Sequence, residues 1–153
     1  MTGIGSDPAG AHQAPPATPG DLKHALGFDA ELQQLTLFLR GWIDQSDREM
    51  RPLLEWQFLG RSKYFRPATV FACRQAVSPG RIEQDIIRRA AAVEMAHNVS
   101  LIVDDILDRS RFRRGVLTLH CRFGLLPALM ASGYITAEAF QLCSGYPFGI
   151  HRL

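Results

Sequence analysis

A chain of 153 residues has room for one domain and not for two. Its hydrophobic fraction of 46% is enough for a core, and its net charge of +2 sets up no global field of the kind that draws in nucleic acid. No apolar run approaches the roughly 18 residues of a membrane span, and the N-terminus lacks the charged-then-apolar layout of a signal peptide.

Met1 to Gly20 is rich in Gly, Ala and Pro and reads as a flexible tail, with His12 in solvent. Residues 21–153 then form the helical domain. A first helix is predicted from about Ala30 to Ile43, with Asp29 as N-cap and an apolar stripe of Leu32, Leu35, Leu39 and Trp42. A second starts near Pro52, buries Leu53, Trp56 and Leu59 on one side, and stops at Gly60. The basic loop Gly60-Arg61-Ser62-Lys63-Tyr64-Phe65-Arg66-Pro67 follows. Lys63 and Arg66 could bind an anion, but for two basic residues alone ordinary loop solvation is the better reading. A short helix from about Ala68 to Val77 ends at the breaker Ser78-Pro79-Gly80.

The stretch from Arg81 to Gly115 organises the rest. Ile82, Ile86, Ala90, Val93, His97, Leu101, Asp104 and Asp108 recur at steps of four and three, which is one face of an α-helix. That face begins apolar, passes through a histidine and ends in carboxylates. Asp104, Asp105 and Asp108 crowd the helix C-terminus, where the macrodipole disfavours negative charge. Like charges one turn apart add a repulsion of about 0.2–0.5 kcal/mol. Two kinds of compensation are on offer. A divalent cation such as Mg²⁺ takes hard oxygen ligands and shares itself with substrate phosphates. Alternatively, Arg109, Arg111, Arg113 and Arg114 lie just downstream. Acids followed by arginines read either as a metal–diphosphate site or as a solvated helix end laced with Asp–Arg pairs. Spacing leaves both open.

Val116 to Gly124 is a short connection, and a last helix runs from Pro127 to about Cys143, with Tyr134 and Phe140 expected in the core. Cys73, Cys121 and Cys143 are odd in number and show neither a C-x-x-C pair nor metal-ligand spacing. They read as reduced core thiols of a cytoplasmic protein. No strand alternation or repeat stands out. The fold class is therefore all-α, with helices packed on a long central one.

Asp104-Asp105-Ile106-Leu107-Asp108, followed by Arg113-Arg114-Gly115, resembles the first aspartate-rich motif of the trans-isoprenyl diphosphate synthases, or polyprenyl synthetases. Glu94 and His97 precede it as in that family, and Ser62-Lys63-Tyr64-Phe65-Arg66-Pro67 looks like the family's Gly-Gly-Lys-x-x-Arg-Pro loop. The order and separations also fit. The resemblance covers roughly Gly60 to Phe140. It implies an isoprenoid-synthase-like helical bundle of which this chain holds about the first half. It also implies that Asp104, Asp105 and Asp108 hold Mg²⁺ against an allylic diphosphate, with Arg113 gripping the same group. Lys63, Arg66, His97 and Arg114 would hold isopentenyl diphosphate. The implied reaction is head-to-tail condensation of the two, driven by electrostatic stabilisation of the leaving diphosphate and exclusion of water. Small residues at Val99 and Ser100 suggest geranylgeranyl or longer products.

Two departures from the family stand out. Arg61-Ser62 replaces the paired glycines, and no second aspartate-rich motif occurs: the other aspartates, Asp7, Asp21, Asp29, Asp44, Asp47 and Asp85, form none. The 153 residues alone are therefore expected to be an inactive half-site. The alternatives are a non-catalytic partner, as homodimer or as heteromer with a full-length prenyltransferase, or a gene fragment without function.

Overall fold

The computed structural model describes residues 27–59 and 64–144; the expected tail and the Gly60–Lys63 end of the basic loop lie outside them. Six helices and one small hairpin follow in order: α1 (Asp29–Gln45), α2 (Arg51–Phe58), α3 (Phe65–Val77), α4 (Gln84–Leu107), β1 (Phe112–Arg113), β2 (Val116–Leu117), α5 (Leu119–Phe123) and α6 (Leu125–Ser144).

The apolar stripe of α1 forms as its spacing predicts. Leu32, Leu35, Leu39 and Ile43 are buried, and Trp42 beside them is half-buried. Asp29 lies inside the first turn, after Phe28, rather than at the N-cap. There its charge still complements the macrodipole. Two other helices begin two residues earlier than their prolines suggest. Pro67 and Pro127 are each the third helical residue, where the missing N–H is one that no carbonyl within the helix would have accepted. In α2, Leu54 and Phe58 are fully buried alongside Leu53, while Trp56 is left half-buried at the edge of the core.

α4 is the central element and packs on α6, α3 and α1. With neighbours on several sides it has no single apolar stripe. The expected face is only partly buried: Ala90 is inside, but Val93 is 41% exposed and Asp104 and Asp108 are in solvent. Ile82 is buried but precedes the helix. The buried line runs instead through Ile87, Ala91, Met95, Asn98, Ile102 and Asp105. Alanines mark it as much as large side chains do. Ala90 and Ala91 on α4 and Ala128 and Ala131 on α6 are inaccessible, which lets the two axes approach closely.

At one end of the bundle Trp42 meets the Phe58 ring edge-on, with centroids 5.6 Å apart, and stacks on Tyr134 at 6.0 Å. The Tyr134 hydroxyl donates to Ser46 Oγ at 3.1 Å, which ties α6 to the end of α1. Phe140, expected in the core, is 50% exposed. The cysteines are free, as expected, but they are not core thiols: Cys73 and Cys121 are exposed and Cys143 is only partly covered. Each lies off the buried face of its helix, which other residues fill. The hairpin is a further departure. Phe112 faces Leu117 and Arg113 faces Val116 in an antiparallel ladder. Strands of two residues are too short to leave an alternating pattern. Among the described residues no helix is long and apolar enough to cross a membrane.

Candidate functional site

The aspartate-rich motif occupies the last turns of α4, and the way that helix ends fixes the site. The Ser110 N–H bonds to the Asp105 carbonyl at 2.9 Å and the Arg109 N–H to the Ile106 carbonyl at 3.2 Å. This pair of bonds is a Schellman closure. Arg109 takes the left-handed conformation that glycine usually supplies there, with φ 53°. The chain reverses and enters the hairpin. Arg114 and Gly115 at its tip have φ of 54° and 77°, the two-residue turn whose twist matches that of the strands. Placing Arg114 in this region costs about 1 kcal/mol.

The reversal returns Arg113 to the motif. Its Nε lies 2.9 Å from both Asp105 oxygens, and its Nη2 lies 2.8 Å from Oδ1. The Asp–Arg pairing that the spacing allowed is thus present at one position. The Asp105 side chain is 8% accessible and that of Arg113 36%. Charge-assisted bonds of this kind are worth up to about 3 kcal/mol, and solvent on the arginine side brings that nearer to about 1–2 kcal/mol. The bond to Asp105 raises the guanidinium's pKa above its ordinary value; burial opposes it, and the charge of Asp105 and then those of Asp104 and Asp108 add to it. Buried Thr118 secures the hairpin's return: its hydroxyl donates to the Ser110 carbonyl at 2.8 Å and its N–H to that of Arg111 at 3.1 Å.

A cleft of about 660 Å³ opens between α2, the start of α3, α4 and the hairpin. It brings together Arg66, His97, Asp105, Arg113 and Arg114 among the sequence-predicted residues. Asp104 and Asp108 stand outside its lining, on the exposed side of α4. Lys63 lies outside the described residues. His97 records the charge of the cleft. Burial is the first cause that holds its pKa below the usual imidazole value, followed by the charges of Arg66, Arg114 and Arg113, with Asp104 opposing. Three guanidinium groups thus act in the same direction on one imidazole of the cleft.

Four further cleft residues were not legible beforehand as site residues. The Gln57 amide donates to Asn98 Oδ1 at 3.0 Å, and Asn98 donates to the Glu94 carbonyl at 2.8 Å. This network sets the floor of the cleft between α2 and α4. At the other end Trp56 and Arg122 stack, with the guanidinium carbon 3.9 Å from the ring centroid. Their residue types alone carry no such signal.

Among the described residues no group of three His, Cys, Asp or Glu side chains is gathered to hold a metal ion. Asp104 and Asp108, one turn apart and both exposed, do fit a hard divalent cation that keeps several waters. Asp105 fits one only by giving up Arg113.

Comparison with known proteins identifies the family. The polyprenyl synthetase family model matches residues 48–152, and the chain belongs to that family. A geranylgeranyl pyrophosphate synthase of Geoglobus acetivorans is 38% identical over 82 residues, covering 54% of this chain and 25% of that protein. A prenyl transferase of Cyanophora paradoxa is 34% identical over 110 residues, covering 71% and 34%. Among solved structures, a polyprenyl synthase from Caulobacter crescentus superposes with a TM-score of 0.72 at 26% identity, covering 85% of this chain and 39% of that one. The chain spans less than half the length of each of these proteins.

Proposed function

We propose that these residues form the diphosphate-binding half of a prenyl diphosphate synthase site. The observation that carries the reading is the convergence of Arg66, Arg113 and Arg114 on a neutral His97, in a cleft at the end of a helix that presents two free acids. In this reading Arg66, His97, Arg113 and Arg114, with Lys63, hold the diphosphates of isopentenyl diphosphate and an allylic partner. Asp105 keeps Arg113 aimed into the cleft. Asp104 and Asp108 hold Mg²⁺, which when bound neutralises charge on the leaving diphosphate. The chain's own contribution is to fix the two diphosphates, so that each donor is in place before charge develops. The relatives' names, geranylgeranyl pyrophosphate synthase and prenyl transferase, support this class of reaction. So does the Caulobacter crescentus structure, described as a complex with calcium and isoprenyl diphosphate. With one aspartate-rich motif in the 153 residues, this stretch by itself binds and does not turn over.

Calorimetry with a non-hydrolysable allylic diphosphate analogue tests the reading. Binding is expected with Mg²⁺ present, and Asp104→Ala should weaken it by at least about tenfold, or about 1.4 kcal/mol. Equal binding by the two proteins, or none by the folded wild type, would refute the reading. Isopentenyl-dependent product from the purified chain would refute the inactive half-site.

A second reading is carried by α6. Leu126, Leu129, Met130 and Phe140 are exposed on it, with Gly133 and Ala137 between them. Such a face suits a second prenyltransferase chain, with this one acting as its partner. Sedimentation at increasing concentration, alone and with a full-length synthase, decides it: a monomer that binds neither would exclude it.

A further inference from the structure

The hairpin that carries Arg113 and Arg114 cannot hold its own position. Two residues per strand are far below what is stable alone in water. Most of its hydrogen bonds come from the segment it belongs to, through Asp105, Ser110 and Arg111. These fix the hairpin to α4. They leave open where it stands relative to α2, which forms the opposite side of the cleft.

Among the described residues a tryptophan makes that connection. Trp56, on the last turns of α2, donates its indole Nε1–H to the Leu117 carbonyl on β2 at 3.0 Å, across 61 positions of sequence. Leu117 is the ladder partner of Phe112, and the next pair, Arg113 with Val116, carries the turn. The Trp56 ring is itself held on the hairpin's far side. Arg122 of α5 lies over its face at 3.9 Å, and the Phe123 ring meets it near edge-on at 6.4 Å between centroids. The indole is therefore held by Arg122 and Phe123 and spends its single polar atom on the strand behind the two arginines. Trp42, the other tryptophan, serves the core instead, packed on Phe58 and Tyr134 with its Nε1 buried and unpaired. Bulk is thus what Trp42 supplies, whereas at Trp56 the N–H has a specific use.

We propose that Trp56 is a positioning residue. Its bond to the Leu117 carbonyl sets the distance of Arg113 and Arg114 from Arg66 and His97, and so sets the affinity of the cleft for a diphosphate. The inference rests on the diphosphate reading above. It assigns Trp56 no contact with the ligand. Its effect passes through the backbone of β2 to the turn, whose left-handed Arg114 holds its place only while the strands beneath it are fixed.

The test compares the full chain with Trp56→Phe, which keeps an aromatic ring against Arg122 and removes the N–H. Three quantities are read: affinity for inorganic pyrophosphate with Mg²⁺ by calorimetry, hydrogen exchange by peptide, and the melting temperature. Trp56→Phe is expected to bind pyrophosphate about tenfold more weakly. Amides of residues 112–117 should exchange faster, while those of α1 and the middle of α4 keep their protection and the melting temperature stays near that of the wild type. Unchanged affinity, or unchanged exchange over 112–117, would overturn the proposal. A general loss of protection with a matching fall in melting temperature would also overturn it, since Trp56 would then serve packing alone. A wild type that fails to bind pyrophosphate brings down the diphosphate reading and this inference with it. A wild type that binds, matched by the variant, brings down the inference only.

Discussion

His97 sits where three arginines converge, and its protonation is the most direct probe of the cleft. Burial first, then Arg66, Arg114 and Arg113, hold its folded-state pKa below 6.5. The unfolded chain therefore takes up a proton at a pH where the native state still refuses one. The stabilisation is complete above about pH 6.5 and is lost as pH falls from there to the lower native pKa. Urea titrations over this window should show stability falling with pH more steeply in the wild type than in His97→Gln. A bound diphosphate supplies the missing negative charge and raises the same pKa, so binding should take up a proton. Calorimetry in buffers of different ionisation enthalpy measures that uptake, and His97→Gln should abolish the share due to this residue. At this scale the sequence was informative about residue types. It could not say that Asp105 turns inward to Arg113 while Asp104 and Asp108 stay in solvent. Three aspartates at this spacing surround the helix over a wide arc, and only the packing of α4 decides which of them faces protein.

The end of α4 is the element on which the site depends. A Schellman closure with arginine in the left-handed position is strained, and nothing in the hydrogen bonding of Arg109's backbone requires a side chain there. Arg109→Gly should therefore raise stability by about 1 kcal/mol, read as a higher urea midpoint with an unchanged slope. Arg114 is in the same conformation, but lines the cleft. Glycine there would relax the turn and remove a charge that the diphosphate reading needs. The helices themselves were legible because period and breakers agree: Ser78-Pro79-Gly80 separates α3 from α4 as read. The hairpin was not, since four strand residues cannot show a period. Nor was the buried line of α4, because Ala90, Ala91 and Ala92 carry little hydrophobic weight and yet lie where the neighbouring helices come closest.

Across the described residues, the α4–α6 contact is the most extensive between any two helices. It is built from small side chains that leave no room for larger ones. Ala131→Leu should cost about 1–3 kcal/mol through overpacking, seen as a lower urea midpoint. The effect should be close to independent of changes at the cleft, since no residue of α6 lines it. The overall class, helices around a long central one, was readable from the sequence. Which surfaces stay uncovered was not: the apolar residues of α6 look alike in sequence whether they face α4, as Ile135 does, or solvent, as Phe140 does.

The two tryptophans divide the molecule optically. Trp42 is wrapped by Phe58 and Tyr134 inside the bundle, and Trp56 lies under the Arg122 guanidinium at the cleft. Emission from the first follows folding, whereas emission from the second follows the state of the site. A pyrophosphate titration should therefore change the fluorescence through Trp56 alone and leave Trp56→Phe silent, while denaturant shifts both. The chain carries its own dye at each of the two places where something can be learned by watching it.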